Sequence, residues 1–533
     1  MTEGRQYNPW LAMAVLSLGL FMTLLDLTIV NIAVPSILTG LNATLDQVLW
    51  VLNGYSLFYA VLLITCGRLG DVFGPRNMFA TGIVVFTAAS MFSGLAQNPA
   101  ELIISRGLQG LGAAMLAPQS LPIMLSLFPA ERRGGVFAIY GVLAGIAVLA
   151  GPTLGGWLVT SFGWRWIFYV NLPIGIVTLV LALLWVPDLR VGLRHKLDWL
   201  GVLLVTGGLL GVVFGLIEGE RYNWGPVAGF VSIPLIIATG VVLLAVFLFQ
   251  QARRQGSEPL VPFAVFRDRN FTLMALVLCA MGFAILGVFL PTTIFLQSVL
   301  GLSAVAAGLT VAPQPIAMMF TSGLAGGLSQ RISGKYFLIP GLLLFAAGVA
   351  YIAWAAAADA GRWAFLPGLI VSGFGLGFVW TPVFSLATRD LRPELGGVAA
   401  GVINTIQELG TVIASAAVGA LLQNRLAASL HTQAVHYSSA LPPAARDRFV
   451  AGFSSAAHTG FQVGAHQTGA SLPAQFAAIA NAVFTHAFSD AMKATLPLPI
   501  GIILLAVVAT FFARASKLSA STQPVGEAST TAA

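Results

Sequence analysis

Charged residues are scarce in this chain, and their scarcity excludes an ordinary soluble domain. Only 8% of its 533 residues are Asp, Glu, Lys or Arg, whereas a soluble globular protein carries roughly 25%. Hydrophobic residues make up 57% of the chain, and the mean hydropathy is +0.89. We therefore expect an all-α polytopic membrane protein.

Cysteine is almost absent, which excludes a disulfide-rich scaffold and a cysteine-based zinc site. The two cysteines, Cys66 and Cys279, lie in separate apolar stretches. Five of the six histidines fall within residues 423–493, but none of them forms an HxH or HxxxH pair, so we expect no metal.

The chain also lacks the motifs of an enzyme. No phosphate-binding glycine loop is present, which argues against ATP as the energy source. No nucleophile–base pair is evident, so we expect no enzymatic activity and no cofactor, with a proton gradient as the source of energy. The net charge of +7 could suit a nucleic-acid binder. The Lys and Arg residues lie in short loops between apolar stretches, however, and this indicates membrane orientation instead of nucleic-acid binding.

Fourteen apolar stretches are long enough to cross a bilayer, which needs about 20 residues per helix. They are residues 10–36, 49–66, 78–96, 101–127, 136–160, 166–186, 198–217, 227–249, 271–298, 304–328, 336–357, 363–388, 397–422 and 494–513. An even number of spans places both termini on one side. Because the loops on that side carry most of the Lys and Arg residues, we expect both termini to be cytoplasmic, in a bacterial plasma membrane.

An internal repeat links the two ends of the chain. The loop after the second span reads GRLGDVFGPRNMF, and the loop after the tenth span reads GGLSQRISGKYFL. Gly67 aligns with Gly326, and Arg76 aligns with Lys335. Duplicated halves around a site in the middle of the membrane are typical of secondary transporters.

The repeat predicts how the chain is divided. We expect six-helix halves at residues 1–190 and 263–513, with an inserted pair, spans 7 and 8, within residues 191–262. The second half includes an external loop at 423–493, for which we expect a small helical cap or a partly ordered loop. Residues 514–533 are small and polar, and we expect them to be disordered.

Four motifs resemble those of one family. They are LDLTIVNIAVP in span 1, GRLGDVFGPR after span 2, SRGLQGLGAAMLAP in span 4 and AGPTLGG in span 5. Together they resemble the signatures of the major facilitator superfamily, in its fourteen-helix drug:proton antiporter branch. The resemblance covers essentially the whole chain in span number and layout. It implies the major facilitator fold and proton-coupled drug export by alternating access.

Two opposite charges lie within predicted spans at similar depths, Asp26 in span 1 and Arg106 in span 4. An acidic residue at a helix centre costs about 2.5–3.5 kcal/mol on insertion scales, so Asp26 should face a cavity or a partner. We expect the two side chains to interact directly, or through Gln109 or water. A carboxylate that alternates between such a partner and burial can bind and release a proton. The alternative is an ion pair that only holds spans 1 and 4 together.

Glu408 in span 13 is the third charge that lies deep inside a predicted span, near the middle of the membrane. Asn404 precedes it by one turn on the same helix face. We expect Glu408 to bind a second proton or a cationic substrate; alternatively, it belongs to a polar patch that only lines the cavity. The other residues predicted to line the substrate cavity are Asn31, Gln109, Gln407, Tyr55 and Trp380.

The charged, glycine-rich loop after span 2 is a candidate gate. Its glycines permit close helix approach and unusual backbone angles. The family resemblance implies a latch between the halves, in which an Asp pairs with a nearby Arg or a helix N-terminus. The alternative is a turn whose charges only set the topology. The predicted gating loop comprises Gly67, Arg68, Gly70, Asp71, Gly74 and Arg76.

The antiporter motif in span 5 removes side chains from one helix face. Its residues are Gly151, Pro152, Gly155 and Gly156. We expect a kinked, closely packed helix at the interface of the halves. A connection to export comes only from the family resemblance.

These patterns favour a monomeric antiporter embedded in the lipid bilayer. It exports a small hydrophobic or cationic drug or antibiotic in exchange for protons. A proton-coupled importer of a polar solute is the nearest alternative, and it would need more polar residues at cavity depth. A membrane receptor or scaffold that transports nothing is an alternative of another class, but it leaves Asp26, Arg106 and Glu408 unexplained. Use of a periplasmic adaptor stays open.

Overall fold

A computed structural model describes residues 7–43, 45–188, 198–219, 221–222, 224–256, 259–328, 332–389, 391, 395–439, 441–458 and 474–514. The predicted disordered tail lies outside these residues from position 515 onward.

Helices make up nearly all of the described chain. The first half contains α1 (Pro9–Gly40), α2 (Leu45–Phe73), α3 (Pro75–Leu95), α4 (Pro99–Leu116), α5 (Ser120–Leu127), α6 (Ala130–Phe162), α7 (Trp166–Tyr169) and α8 (Asn171–Trp185). The inserted region contains α9 (Trp199–Glu218), the strands β1 (Pro226–Ala228) and β2 (Val231–Ser232), and α10 (Ile233–Arg253). The second half contains α11 (Ala264–Arg267), α12 (Arg269–Ile294), α13 (Ala304–Val311), α14 (Pro313–Leu328), α15 (Lys335–Ala355), α16 (Leu366–Ala387), α17 (Gly396–Ser438), α18 (Pro443–His458), α19 (Ala474–Thr495) and α20 (Pro497–Phe511).

Thirteen helical stretches of the described chain are long and apolar enough to cross a membrane. The predicted tenth span, 304–328, is built from two shorter helices, α13 and α14, which meet at Ala312. Pro313 follows Ala312 directly and has no backbone N–H to continue the hydrogen-bond ladder, which explains the break. The all-α membrane fold predicted from the sequence is confirmed.

Two seams join the halves. At one seam α6 of the first half packs against α13 and α14 of the second, and at the other α2 packs against α17. Small residues allow the close approach: a side chain at Gly401 would come within 2.9 Å of the Leu63 carbonyl oxygen, and one at Gly145 within 2.4 Å of Met319. The inserted helix α9 packs against α10, and it also contacts both α2 and α17.

The two basic residues aligned by the repeat make equivalent contacts. Arg76, at the start of α3, donates from Nη2 to the Leu183 carbonyl oxygen at the end of α8, over 2.6 Å. Lys335, at the start of α15, donates from Nζ to the carbonyl oxygens of Phe511 (2.6 Å) and Ala513 (2.8 Å), at the end of α20. In each half, a cation at the start of the third span therefore satisfies free carbonyls where the last span ends.

A polar cluster around Asp198 joins the ends of the inserted pair. Its carboxylate caps α9 by accepting from the Gly201 N–H (3.1 Å). It also accepts from Gln251 Nε2 (2.7 Å), Gln250 Nε2 (2.9 Å) and Arg254 Nη1 (2.5 Å) on or just after α10. Burial alone raises the pKa of this carboxyl, but the hydrogen bonds and the guanidinium charge outweigh burial, so the pKa is lowered.

The region predicted as an external loop is largely helical. α17 continues from the membrane to Ser438 and would be about 64 Å long at 1.5 Å per residue, twice the thickness of a bilayer core of about 30 Å. α18 and α19 follow, and Asp490 of α19 accepts hydrogen bonds from Ser429 (3.3 Å) and Gln433 (2.9 Å) of α17. The last predicted span begins where α19 gives way to α20, beside Pro497.

Candidate functional site: a buried ion pair beside a central cavity

The structure brings Asp26 of α1 and Arg106 of α4 into direct contact. Arg106 Nη1 donates to Asp26 Oδ2 over 2.6 Å, and the two side chains are only 1% and 0% exposed. Asp26 Oδ1 accepts from Gln109 Nε2 (2.7 Å) and from Asn171 Nδ2 (3.0 Å). Arg106 also donates to Gln109 Oε1 (2.8 Å). The charges are thus paired and bonded, as burial requires.

Helix capping helps to fix the depth of Arg106. Asn98 caps α4 by accepting from the Glu101 N–H (3.0 Å), and Glu101 accepts in return from the Gln97 N–H (2.7 Å). This reciprocal arrangement sets where α4 begins. Arg106 then lies two turns into the helix, where Nε donates to the Val51 carbonyl oxygen of α2 (3.2 Å).

Asn171 is a member of this network that the sequence analysis missed. It begins α8, is fully buried, and bridges Asp26 to Ser90 Oγ (3.0 Å) of α3. A neutral amide in an apolar run gives a weaker sequence signal than a charge does. Its position in the first part of the sixth predicted span, 166–186, was the only available hint.

A cavity of about 390 Å³ lies at the centre of the helices, within the size range of small-molecule sites. Its wall is mostly apolar and is contributed by both halves. Five of the predicted residues line it: Tyr55, Trp380, Asn404, Gln407 and Glu408. The sequence analysis missed Tyr59, Tyr140 and Gln314, which also line it.

Two residues predicted for the cavity wall lie elsewhere. Gln109 is fully buried against Asp26 and Arg106, outside the lining. Asn31 is exposed and donates to the Leu27 carbonyl oxygen (2.9 Å) one turn earlier. Leu27 lines the cavity, so Asn31 lies one helical turn beyond it along α1.

Glu408 is the only acidic residue among those that line the cavity. No Lys or Arg lines this cavity, and within the described part of the chain no ion pair involves Glu408. Asn404 and Gln407 lie beside it on α17, at the i−4 and i−1 positions. Tyr59 of α2 and Trp380 of α16 supply aromatic faces to the same space. Such a space suits a cation with apolar substituents.

The predicted gating loop is shorter than expected. Gly67, Arg68, Gly70 and Asp71 lie inside α2, which continues to Phe73, and only Gly74 forms the turn, at φ = +92°. The apolar stretch before Gly67 continues as one helix through the charges, and it ends before Gly74, whose positive φ suits glycine. Arg68 pairs with Asp71 over 3.6 Å within one helix turn, and Arg76 binds α8 of its own half. Neither of these two contacts crosses to the second half.

A different arginine crosses the seam on the face that carries the termini. Arg133, near the start of α6, donates from Nη1 to the Thr388 carbonyl oxygen just after α16, over 3.2 Å. It also donates to the carbonyl oxygens of Leu125 (3.2 Å) and Phe128 (3.3 Å) in its own half. Nearby, Phe137 stacks on Phe384 across the same seam, with ring centroids 5.6 Å apart.

The antiporter-motif residues lie on α6, as expected. A side chain at Gly151 would come within 2.1 Å of Thr28 Oγ1, and one at Gly155 within 2.7 Å of Ile29, both on α1. Gly156 approaches Val305 of α13, where an added side chain would come within 2.5 Å. Only Gly156 of these three therefore packs against the opposite half. The side chain of Pro152 lies outside the described part of the chain.

Metal binding finds no support in the described residues. No group of three or more His, Cys, Asp or Glu side chains there could hold an ion. His486 instead lies beside Tyr437, with ring centroids 5.7 Å apart. His466 lies outside the described residues.

Two six-helix halves around one central cavity, with buried charges beside it, define the class of secondary transporters. The sequence profile of the Major Facilitator Superfamily matches residues 16–415. The chain belongs to this superfamily.

Relatives of the chain are transporters of the same kind. An uncharacterised MFS-type transporter of Mycobacterium tuberculosis is 39% identical over 79% of this chain and 72% of its own length. The tetracenomycin C resistance and export protein of Streptomyces glaucescens is 30% identical over 96% of this chain and 93% of its own length. The solved structure of a proton:xylose symporter shares the fold, with a TM-score of 0.61 at 15% identity, covering 96% of each chain.

Proposed function

We propose that the protein exports a hydrophobic compound carrying a positive charge across the bacterial plasma membrane, in exchange for protons. The observation that carries this proposal is the central cavity, in which Glu408 lies beside aromatic rings and no basic residue is present. A carboxylate in such surroundings attracts an organic cation and disfavours an anion. The apolar remainder of the wall suits a hydrophobic body better than a sugar-like solute, which disfavours the alternative of a polar-solute importer.

Proton coupling is assigned to Asp26 and Arg106. While the pair is closed, the guanidinium and two amides stabilise the ionised carboxylate. Both side chains belong to the first half, so the rearrangement must include a shift of α4 relative to α1 that moves the guanidinium away and lets a proton take its place. Movement of Arg106 relative to Asp26 therefore converts a conformational change into binding or release of a proton.

Alternating access follows from the two seams. Separation of Arg133 from the Thr388 carbonyl oxygen would open the face that carries the termini. Separation of α6 from α13, where Gly156 packs on Val305, would open the other face. The distribution of Lys and Arg among the loops supports a cytoplasmic location of the termini. The export activity in the name of the Streptomyces glaucescens relative supports outward transport.

Transport of a fluorescent cation tests the proposal. In inverted membrane vesicles the cytoplasmic face of the protein is turned toward the bath. An acidic interior then reproduces the proton gradient across the cell membrane. We expect gradient-dependent uptake of ethidium, which stops when nigericin collapses the pH gradient. Absence of uptake, together with gradient-driven movement of a sugar or amino acid, would favour the importer instead.

A further inference from the structure

The proton site and the cavity are adjacent but not continuous. Asp26 and Arg106 are fully buried, and neither belongs to the cavity wall. Five groups contact this pair by hydrogen bonds or ring faces: Val51, Tyr55, Gln109, Phe168 and Asn171. Of these, only Tyr55 also lines the cavity.

The ring of Tyr55 occupies the boundary between the two spaces. The Arg106 guanidinium carbon lies 4.5 Å from the centre of the Tyr55 ring. An aromatic neighbour of this ring is Tyr59, whose ring centre is 6.0 Å away at an angle of 23°. Tyr59 lines the cavity with Glu408. Among the hydrogen-bond and ring partners of the Asp26–Arg106 pair in the described residues, the Tyr55 ring is therefore the one shared with the cavity wall.

Backbone packing holds Tyr55 in this place. A side chain at Gly110 of α4 would come within 2.3 Å of the Tyr55 carbonyl oxygen, so α2 and α4 touch here. Gly110 lies one turn from Arg106 on the same helix. The Tyr55 hydroxyl has no hydrogen-bond partner among the described residues, so the ring is positioned by stacking and helix contact and is not tied at its tip.

Building on the proposed function, we infer that Tyr55 is the seal between the substrate cavity and the Asp26–Arg106 proton site. The aromatic ring excludes cavity water from Asp26 while the ion pair is closed. A substrate that displaces the ring connects the two sites, which makes proton exchange depend on occupancy of the cavity. Tyr55 acts through its position and has no chemical role of its own.

Carboxylate labelling tests the seal without any transport substrate. The purified protein in detergent is treated with a water-soluble carbodiimide and an amine, and modification of Asp26 and Glu408 is measured by peptide mass spectrometry. Glu408 lines the same cavity, so its modification serves as the internal standard and reports whether a variant keeps the cavity intact. We expect little modification of Asp26 in the wild type and in Tyr55→Phe, which keeps the ring. We expect a several-fold rise in Tyr55→Ala and a smaller rise in Tyr55→Leu.

Tyr140→Ala is the matched control, because Tyr140 lines the same cavity and has no ring contact with Arg106. It should leave Asp26 as protected as in the wild type. Equal modification of Asp26 in the wild type and Tyr55→Ala would overturn the inference, as would an equal rise in Tyr140→Ala.

Proton entry into proteoliposomes gives a second readout. With a potassium diffusion potential and no substrate, Tyr55→Ala should admit protons several-fold faster than the wild type. Adding Asp26→Asn to Tyr55→Ala should abolish this leak; a persisting leak would contradict a path through Asp26. If the labelling and leak results are as expected but wild-type vesicles transport no cation, the proposed function is wrong. The inference that Tyr55 separates the two sites is then still supported.

Discussion

Arg106 Nη1 lies 2.6 Å from Asp26 Oδ2, and this ion pair is almost completely removed from solvent. The carboxylate on α1 accepts hydrogen bonds from Arg106 and Gln109 of α4 and from Asn171 of α8. In a low-dielectric interior, such a pair is stable only while both partners are present. Any movement that separates them must provide a proton or another partner. In the proposed function, this relationship is what connects helix movement to protonation.

Removing one partner of the Asp26–Arg106 pair should destabilise the protein more than removing both partners. Arg106→Met leaves the Asp26 carboxylate buried without its cation, which costs about 3–5 kcal/mol in comparable pairs. We expect a large fall in the apparent unfolding temperature of this variant in detergent. The double variant Asp26→Asn/Arg106→Met should recover much of that loss, since no lone charge remains. A double variant that unfolds at or below the temperature of Arg106→Met would contradict a tightly coupled pair.

Removing the Glu408 carboxylate should weaken transport of a cationic substrate more than transport of a neutral one. Glu408→Gln keeps the shape and removes the charge, so a cationic substrate should need about tenfold more concentration for half-maximal transport, equivalent to 1.4 kcal/mol. A neutral analogue of similar size should be transported as in the wild type. Concentration series in vesicles measure both. Equal weakening for the two compounds would argue against recognition of charge by Glu408.

Arg133 should hold the face that carries the termini closed. Arg133→Met removes the hydrogen bond to the Thr388 carbonyl oxygen, so the open state should become more populated. The measurement is the rate at which an impermeant maleimide labels Ser120→Cys, on the cavity wall, after both native cysteines are replaced by serine. We expect labelling several times faster than in the parent.

Arg132→Met is the control for that experiment, because it removes the same charge from the neighbouring, exposed position. Its labelling rate should match that of the parent. If both variants accelerate labelling equally, the effect comes from the loss of local charge. The hydrogen bond from Arg133 to the Thr388 carbonyl oxygen then does not hold this face closed.

Asp198 should stabilise the inserted pair through two kinds of contact. Asp198→Asn keeps a cap for Gly201 but loses the ionic contact with Arg254, whereas Asp198→Ala loses both. A helix cap contributes about 1 kcal/mol, and hydrogen bonds to a charged group about 1.5–3 kcal/mol. The apparent unfolding temperature should therefore fall in the order wild type, Asn variant, Ala variant.

The pH dependence of this stabilisation follows from the lowered pKa of Asp198. A carboxyl whose pKa is lower in the folded state than in the unfolded state stabilises the protein fully at pH values above its unfolded-state pKa. This stabilisation is lost as the pH falls through the folded-state pKa. The difference between the wild type and Asp198→Ala should stay constant between about pH 5 and 8. A difference that shrinks within this window would mean that the carboxylate is already protonated there.

The sequence alone was enough to predict the features that depend on hydropathy and charge. Apolar length located the spans, and Asp26, Arg106 and Glu408 stood out because charges are rare in spans. Asn171, Tyr59 and Tyr140 escaped notice because neutral polar and aromatic residues are common in membrane helices. Their relevance depends on which helix face meets the cavity, and this is fixed by tertiary packing.

The extent of the loop after span 2 and the end of span 13 were predicted wrongly for related reasons, whereas a gating role for that loop stays a prediction. Charges at Arg68 and Asp71 suggested a loop, yet the α-helix extends through them and turns only at Gly74. The residues after 422 are too polar to count as a span, but Ala-rich sequence favours helix. α17 therefore continues to Ser438, well beyond the predicted end of its span.

The most direct test of proton-coupled export compares the wild type with Asp26→Asn in inverted vesicles, with ethidium as substrate and a pH gradient as the only energy source. Asn keeps the shape of the side chain and cannot exchange a proton. We predict gradient-driven uptake in wild-type vesicles and none in vesicles that contain an equal amount of inserted Asp26→Asn protein. Wild-type rates in the mutant would contradict the assignment of Asp26 as the proton site.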